Sequence, residues 1–256
     1  MSELPFFLER TIVIGAPPEV VFRYFTDPVR FAAWWGAGSD IDCRPGGRVH
    51  IRYPDGTVAS GKVVEAAPPN RVVFTYGYEG EGKPIAPGAS RVTIDLTGLP
   101  DGTRLHLRHD VPTADILEEH TQGWRYQLSL FANVVARELF ADAGKVVDAY
   151  LSSWSEPDAS SRRAILASSV TDDVSFRDAY ACLRGIDDLN ANLAAIQRFM
   201  PGMTLKSAGD LRQCQGSALG DWSVAGPDGS VKARGTNAYD FAPNGKIRRI
   251  VGYWNS

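Results

Sequence analysis

Hydrophobic positions along the chain switch between a period of two and a period of three to four, and the order of the switches divides the sequence into halves. Phe6–Ile14 reads as an opening strand, after which Ala16-Pro17-Pro18 starts a helix, since proline suits a first helical turn. Val20, Val21, Tyr24 and Phe25 give that helix an apolar face; Asp27-Pro28 ends it, and a short second helix carries Phe31, Trp34 and Trp35. Six strand-like runs follow, at residues 41–44, 48–53, 58–67, 71–78, 90–99 and 103–111. Val92, Ile94 and Leu96 alternate with polar neighbours, as do Leu105, Leu107 and Val111, which predicts one buried and one wet face. The separators Pro45-Gly46-Gly47, Asp55-Gly56, Pro68-Pro69-Asn70 and Asp101-Gly102 are turn formers, so an antiparallel meander is expected. The period then lengthens. Trp124, Leu128, Phe131, Val135 and Leu139 predict one long helix over residues 115–143, with Gly144 as its stop.

The second half begins again with helices and ends with strands. Val146, Val147, Tyr150, Leu151 and Trp154 form an amphipathic stripe, a second helix holds Ile165 and Leu166, and a strand is expected over residues 174–178. A third helix spans residues 186–200, and four strands close the chain at about 204–215, 217–225, 231–241 and 247–254. Neither half shows the alternating strand–helix order of a parallel sheet. The fold class is therefore α+β, with two domains over residues 1–143 and 144–256, each an antiparallel sheet closed over helices around an apolar pocket.

Composition narrows the function classes. The chain has 256 residues, 44% hydrophobic and 22% charged, with a net charge of −3, which leaves no basic stripe for nucleic acid or anionic lipid. No apolar run reaches the length of a signal or a membrane span, so no membrane association and a cytoplasmic location are expected. Cys43, Cys182 and Cys214 are odd in number and far apart, which fits neither a disulfide framework nor a zinc site. No HxH, HExxH, phosphate loop, dinucleotide fingerprint or nucleophile elbow occurs. No metal and no cofactor are expected, and serine hydrolysis has no support.

Several residues are candidates for chemistry. In Val174-Ser175-Phe176-Arg177-Asp178 the strand period places Asp178 on the face of Val174 and Phe176; in an apolar cavity that carboxylate would become a general base. The structural alternative is a strand-end aspartate that caps a turn or pairs with Arg177 or Arg184. Asn237 shares a face with Tyr239, so its amide is a donor to a ligand oxygen or a satisfied core group, and Tyr239 is a wall of the same cavity. Trp222, Tyr150, Trp154, Phe176 and Tyr180 are the further ligand contacts expected in this half, with helix-to-sheet packing as the rival reading for Tyr150 and Trp154. In the first half the candidates are Trp34, Trp35, Tyr76, His109 and Trp124. Trp34 and Trp35 are adjacent, so one is expected to close a pocket and the other to cover a helix. His109 continues the register of Leu105 and Leu107, as a ligand contact, an acid/base near neutral pH or a backbone-bonded histidine. His120 is expected only to cap or solvate the start of the long helix.

Two family resemblances add to this reading. Residues about 8–140 resemble the START-like superfamily, in the branch named after the activator of the heat-shock-protein-ninety ATPase. The resemblance is carried by Ala16-Pro17-Pro18-Glu19-Val20-Val21-Phe22, Phe31-Ala32-Ala33-Trp34-Trp35, Arg44-Pro45-Gly46-Gly47-Arg48, the stretch from Val64 to Phe74, and Gly123-Trp124. It implies a helix-grip fold with a pocket between sheet and long helix, in a superfamily of binders, transporters and cyclases. Residues about 145–256 are similar to the SnoaL-like branch of the nuclear-transport-factor-2-like superfamily, through Tyr150 and Trp154, Val174–Asp178, Gly185, and the closing pattern from Asp240 to Trp254. That resemblance implies a cone of sheet over three helices, places Asp178 where related isomerases keep a proton-transferring aspartate, and suggests homodimers through the sheet. Together they imply binding of a small apolar, oxygen-bearing molecule, polyketide-like or terpenoid-like, with cofactor-free isomerisation, cyclisation or dehydration as its extension. The alternatives are a non-catalytic binder that dimerises through the C-terminal domain and, from the branch name alone, a chaperone-associated protein.

Overall fold

A computed structural model describes residues 4–255. The chain is a two-domain α+β protein that divides into compact units at residues 1–136 and 137–256. In the first unit β1 (Phe6–Ile14) leads to α1 (Pro18–Phe22), a 3-10 turn at Arg23–Phe25, and α2 (Pro28–Trp35). The side chain of Asp27 caps α2 by accepting from the Val29 and Arg30 amides, and Pro28 fills the first turn, where no amide is needed. Six strands then run as a meander: β2 (Asp40–Ile41), β3 (Arg48–Arg52), β4 (Val58–Ala67), β5 (Arg71–Tyr76), β6 (Ser90–Leu99) and β7 (Gly102–Val111). The sheet order is β1-β7-β6-β5-β4-β3-β2 with every pair antiparallel.

One face of this sheet is covered by α3 (Leu117–Leu139). Its buried stripe, His120, Trp124, Gln127, Leu128, Phe131 and Val135, follows the helical period. Phe131 meets Trp34 at 4.6 Å and Phe25 at 5.5 Å between ring centroids, and the Tyr24 hydroxyl donates to the Val134 carbonyl at 3.2 Å. Burial of each such aromatic contributes on the order of 1.5–3 kcal/mol, so this stripe fixes the helix to its sheet. Gly61 lets β4 approach β5 closely: a Cβ there would lie 1.7 Å from the Thr75 carbonyl oxygen.

The helix expected to run to residue 143 ends at Leu139, and Gly144 is not its stop. A new helix, α4 (Ala143–Ser153), takes Gly144 into its first turn. The apolar rhythm continues through Phe140, Ala143 and Val147, all buried, which is why periodicity alone joins the two helices. The second unit continues with α5 (Ala159–Ser169), β8 (Val170–Arg177), β9 (Cys182–Arg184) and α6 (Ile186–Phe199). Five strands follow: β10 (Thr204–Ser207), β11 (Arg212–Cys214), β12 (Ser217–Ala225), β13 (Val231–Phe241) and β14 (Ile247–Trp254). Their order is β10-β12-β13-β14-β8-β9, with β11 also on β12.

Two expectations are corrected here. The strand expected over 204–215 is two short strands: the Ala208 amide still donates to the Asp221 carbonyl of β12 at 2.8 Å, but the ladder is interrupted before β11 pairs with β12. The sheet is also not wholly antiparallel, since β14 pairs with β8 in parallel. Inside the α4–α6 region the guanidinium of Arg162 is buried, donating to Asn190 Oδ1 at 2.7 Å, the Glu156 carbonyl at 2.9 Å and Gln197 Oε1 at 3.4 Å. No helix among the described residues is long and apolar enough to cross a membrane.

Candidate functional site

Two hollows matter, one in each unit. In the first, the end of α2, the β3–β4 turn, the end of β5 with its following loop, and α3 enclose a cleft of about 430 Å3. Trp35, Tyr76, Trp124, His120 and Gln127 are its buried lining, and Asp55, Lys83, Glu119 and Tyr126 form an exposed rim. The rings make a continuous strip: Trp35 lies 5.6 Å from Trp124 and 5.8 Å from Tyr53, and Tyr53 lies 6.4 Å from Tyr78. Tyr78 lies 5.4 Å from Tyr76 and 5.9 Å from His120. Such a wall suits a flat apolar body.

Polar atoms interrupt the wall at defined points. The Tyr53 and Tyr76 hydroxyls share a 2.7 Å hydrogen bond. Burial raises the pKa of Tyr53, Tyr76 and Tyr78, so all three remain neutral phenols. The indole N–H of Trp35 is buried and has no hydrogen-bond partner, although the ring lines the cleft. Trp34 is also buried, packing on Phe131 at 4.6 Å and on Trp35 at 4.4 Å, so both tryptophans are inside, and of the two Trp35 lines the cleft.

The two histidines behind this wall differ. His109 is fully buried but does not line the cleft; Trp124 lies over it and donates to Nδ1 at 3.0 Å. An indole nitrogen can only donate, so His109 Nδ1 bears the lone pair and Nε2 carries the hydrogen. Nε2 then donates to Ser90 Oγ at 2.8 Å, and Ser90 donates to the Tyr76 carbonyl at 2.8 Å. Burial, with the nearby His120, pushes the His109 pKa down to about 3. The acid/base expectation for His109 near neutral pH is therefore corrected: it is a neutral strut under Tyr76 and Trp124. His120, expected only to cap or solvate its helix, is 6% exposed and lines the cleft. Its position four residues before Trp124, on the same helical face, was the sequence signal that could have placed it there.

In the second unit the hollow is small, about 30 Å3, lined by Trp154, Phe176, Asp178, Leu205, Trp222, Val224, Asn237, Gly252 and Trp254. That volume holds one or two waters. Asn237 is engaged on both sides: Oδ1 accepts from Trp222 Nε1 at 2.9 Å and Nδ2 donates to the Tyr239 hydroxyl at 3.1 Å. Asp178 borders the hollow just past the end of β8, but it is half-buried rather than sealed in apolar surroundings. Its Oδ1 accepts the Tyr180 and Ala181 amides, both at 2.8 Å, and its Oδ2 accepts Trp254 Nε1 at 3.1 Å. Those three donors hold it as the anchor of a turn. Tyr150 and Tyr239 are buried behind the lining, Trp154 and Phe176 form one wall at 5.9 Å, and Tyr180 is 80% exposed, packed on Trp254 at 5.3 Å.

Against this geometry the family comparison is direct. Residues 15–136 match the model of the family described as activator of Hsp90 ATPase homolog 1-like protein. The N-terminal part is an AHSA1-like domain. Solved structures similar to the chain include an AHSA1-like protein from Rhizobium etli, 30% identical, covering 51% of this chain and 82% of that one with a TM-score of 0.41. CalU16 from Micromonospora echinospora is 27% identical, covering 53% and 78% with a TM-score of 0.40. A protein of the SnoaL-like family from Agrobacterium tumefaciens, described as a candidate isomerase, is 23% identical, covering 44% and 96% with a TM-score of 0.42. None of the curated proteins matches the sequence. The AHSA1-like match spans the whole wall of the larger cleft, from Trp35 to Leu130.

Proposed function

We propose that the AHSA1-like domain binds a small, largely apolar molecule bearing an oxygen function. The observation that carries this reading is the cleft of about 430 Å3 walled by a continuous strip of aromatic rings, Trp124, Trp35, Tyr53, Tyr78 and Tyr76. The phenols of Tyr53, Tyr76 and Tyr78 are neutral and exchange hydrogen bonds with a hydroxyl or carbonyl at no charge cost. The polyketide-like or terpenoid-like class is consistent with such a wall, and cofactor-free isomerisation, cyclisation or dehydration would be its catalytic extension. Asp178, Asn237 and Tyr239 would serve that chemistry only if the second hollow enlarged, since it now admits little more than water.

Calorimetric titration with 1-naphthol, together with native mass spectrometry of protein isolated from cells, tests the binding. Saturable 1:1 binding, weakened several-fold in Trp35→Phe, is the expected result. Absence of binding heat and of any retained molecule would end the reading.

A second reading concerns the C-terminal domain as a homodimer surface. Leu219, Ala238 and Val251 lie side by side across β12, β13 and β14, and exposed Tyr253 follows Val251 on the same face. Sedimentation of the wild type and of Leu219→Glu tests it; a monomer at micromolar concentration in both removes it.

A further inference from the structure

We propose that His120 is a general base in the AHSA1-like cleft, taking a proton from the carbon beside a ligand carbonyl and returning it to the same ligand. The inference rests on the binding reading given above and extends it to chemistry.

His120 Nδ1 lies 2.8 Å from the carbonyl oxygen of Ile116, one helical turn earlier. A carbonyl can only accept, so Nδ1 carries the hydrogen and Nε2 of the neutral ring bears the lone pair. The backbone therefore fixes both the tautomer and the direction in which the lone pair points. Nε2 meets the Tyr78 hydroxyl at 3.3 Å, near the long limit of a hydrogen bond, and Tyr78 must be the donor. Both rings line the cleft, so a ligand entering it meets a lone pair held by one weak bond. His109, 5.5 Å away, offers the contrast: Trp124 occupies its lone pair and Ser90 its hydrogen, and it does not reach the cleft.

The cleft also holds what a developing oxyanion requires. The Tyr53–Tyr76 pair uses only one of its two hydroxyl protons on itself, and both rings line the cleft. Tyr76 and His120 both flank Tyr78, at ring separations of 5.4 and 5.9 Å, so phenol donors and base share one wall. Neutral donors stabilise an enolate more strongly than its ketone, and that difference accelerates the step.

The balance closes without a co-reactant. The C–H bond beside the carbonyl breaks and its proton forms a bond to His120 Nε2. The electron pair forms a C=C bond while the carbonyl π pair moves to oxygen. The imidazolium then returns the proton to the same carbon, which is exchange, or to a conjugated carbon, which is isomerisation. Nothing is oxidised or reduced.

The test uses the full chain in D2O with 2-tetralone, a neutral bicyclic ketone with activated hydrogens beside its carbonyl. Proton spectra follow deuterium incorporation, and calorimetry follows binding separately. Exchange faster than the same concentration of free imidazole gives, by about 100-fold or more, is the expected result for a positioned base. In His120→Gln the acceleration should vanish while tetralone still binds. Binding without acceleration, or equal acceleration in the variant, overturns the assignment and leaves the binding reading standing; failure of tetralone to bind overturns both. Should the variant misfold, ring-nitrogen spectra of the wild type decide. They should show His120 with hydrogen on Nδ1 and bare at Nε2, with the Nε2 signal shifting when tetralone is added. A hydrogen on Nε2 in the free protein, or no shift on addition, overturns the proposal.

Discussion

The indole N–H of Trp124 donates to Nδ1 of His109 across the interface between α3 and β7, at 3.0 Å. It is a buried hydrogen bond joining the long helix to β7, next to the edge strand of its sheet, and it gives the acceptor a single tautomer. In Trp124→Phe the ring survives but the N–H does not, so a lone pair is left buried without a partner. The expected loss is about 1–3 kcal/mol, read from chemical denaturation of the full chain followed in the AHSA1-like domain. A change below about 0.5 kcal/mol, the range usual for surface substitutions, would show the bond to be dispensable.

His109 also sets a pH dependence. Its folded pKa is near 3, below the ordinary histidine value of 6.5, so between those values the unfolded chain binds a proton that the folded one refuses. Stability contributed by the neutral ring is thus complete above pH 6.5 and falls as the solution is acidified toward 3. The slope from this one group is at most about 1.4 kcal/mol per pH unit. Urea midpoints measured from pH 7 to pH 4 should decline, and His109→Gln should flatten the decline. An unchanged slope in that variant would remove His109 as its source.

Arg162 is buried with neutral acceptors around it, and Gln197, which accepts from it, also donates to the Trp154 and Glu156 carbonyls at 2.9 and 2.8 Å. The guanidinium therefore ties α5 to α6 and to the segment that follows α4. Arg162→Ala leaves several of those acceptors buried and unpaired, at a cost of about 1–3 kcal/mol for each one that water cannot reach. Thermal unfolding of the second unit should shift down by several degrees, whereas Arg163→Ala, whose 2.8 Å pair with Asp187 is exposed, should leave it within about a degree.

At Gly235 a Cβ would sit 2.2 Å from Cζ2 of Trp222 and 2.3 Å from the Tyr253 carbonyl oxygen. Gly235→Ala must displace the indole that donates to Asn237, and so reshape the smaller hollow. Overpacking of this kind costs about 1–3 kcal/mol. The near-ultraviolet circular dichroism of Trp222 should change with the melting temperature; a variant with the parent spectrum and midpoint would contradict the packing described here.

Strands were the most legible elements. Residues 58–67, 90–99, 217–225, 231–241 and 247–254 are strands with the ends that alternation and turn dipeptides predict. Where the sequence misled, the physics was tertiary. Apolar spacing runs unbroken through residues 139–147, so the break between α3 and α4 leaves no mark in the period. Asp178 fits the strand period of Val174 and Phe176, but β8 ends one residue earlier and the carboxylate folds back onto its own turn, an outcome that a local hydrogen bond decides. His120 stands among Glu118, Glu119 and Thr121, and those polar neighbours hid a buried face that only the spacing to Trp124 discloses.

The central place of β14 in its sheet, between β13 and the parallel β8, bears on how the protein is made. During synthesis β8 leaves the ribosome well before its neighbour, and until Ile247–Trp254 emerges, both β8 and β13 offer bare backbone edges to any passing strand. A nascent chain halted short of that segment would be sticky at its midline, where a trigger for chaperone capture is most useful.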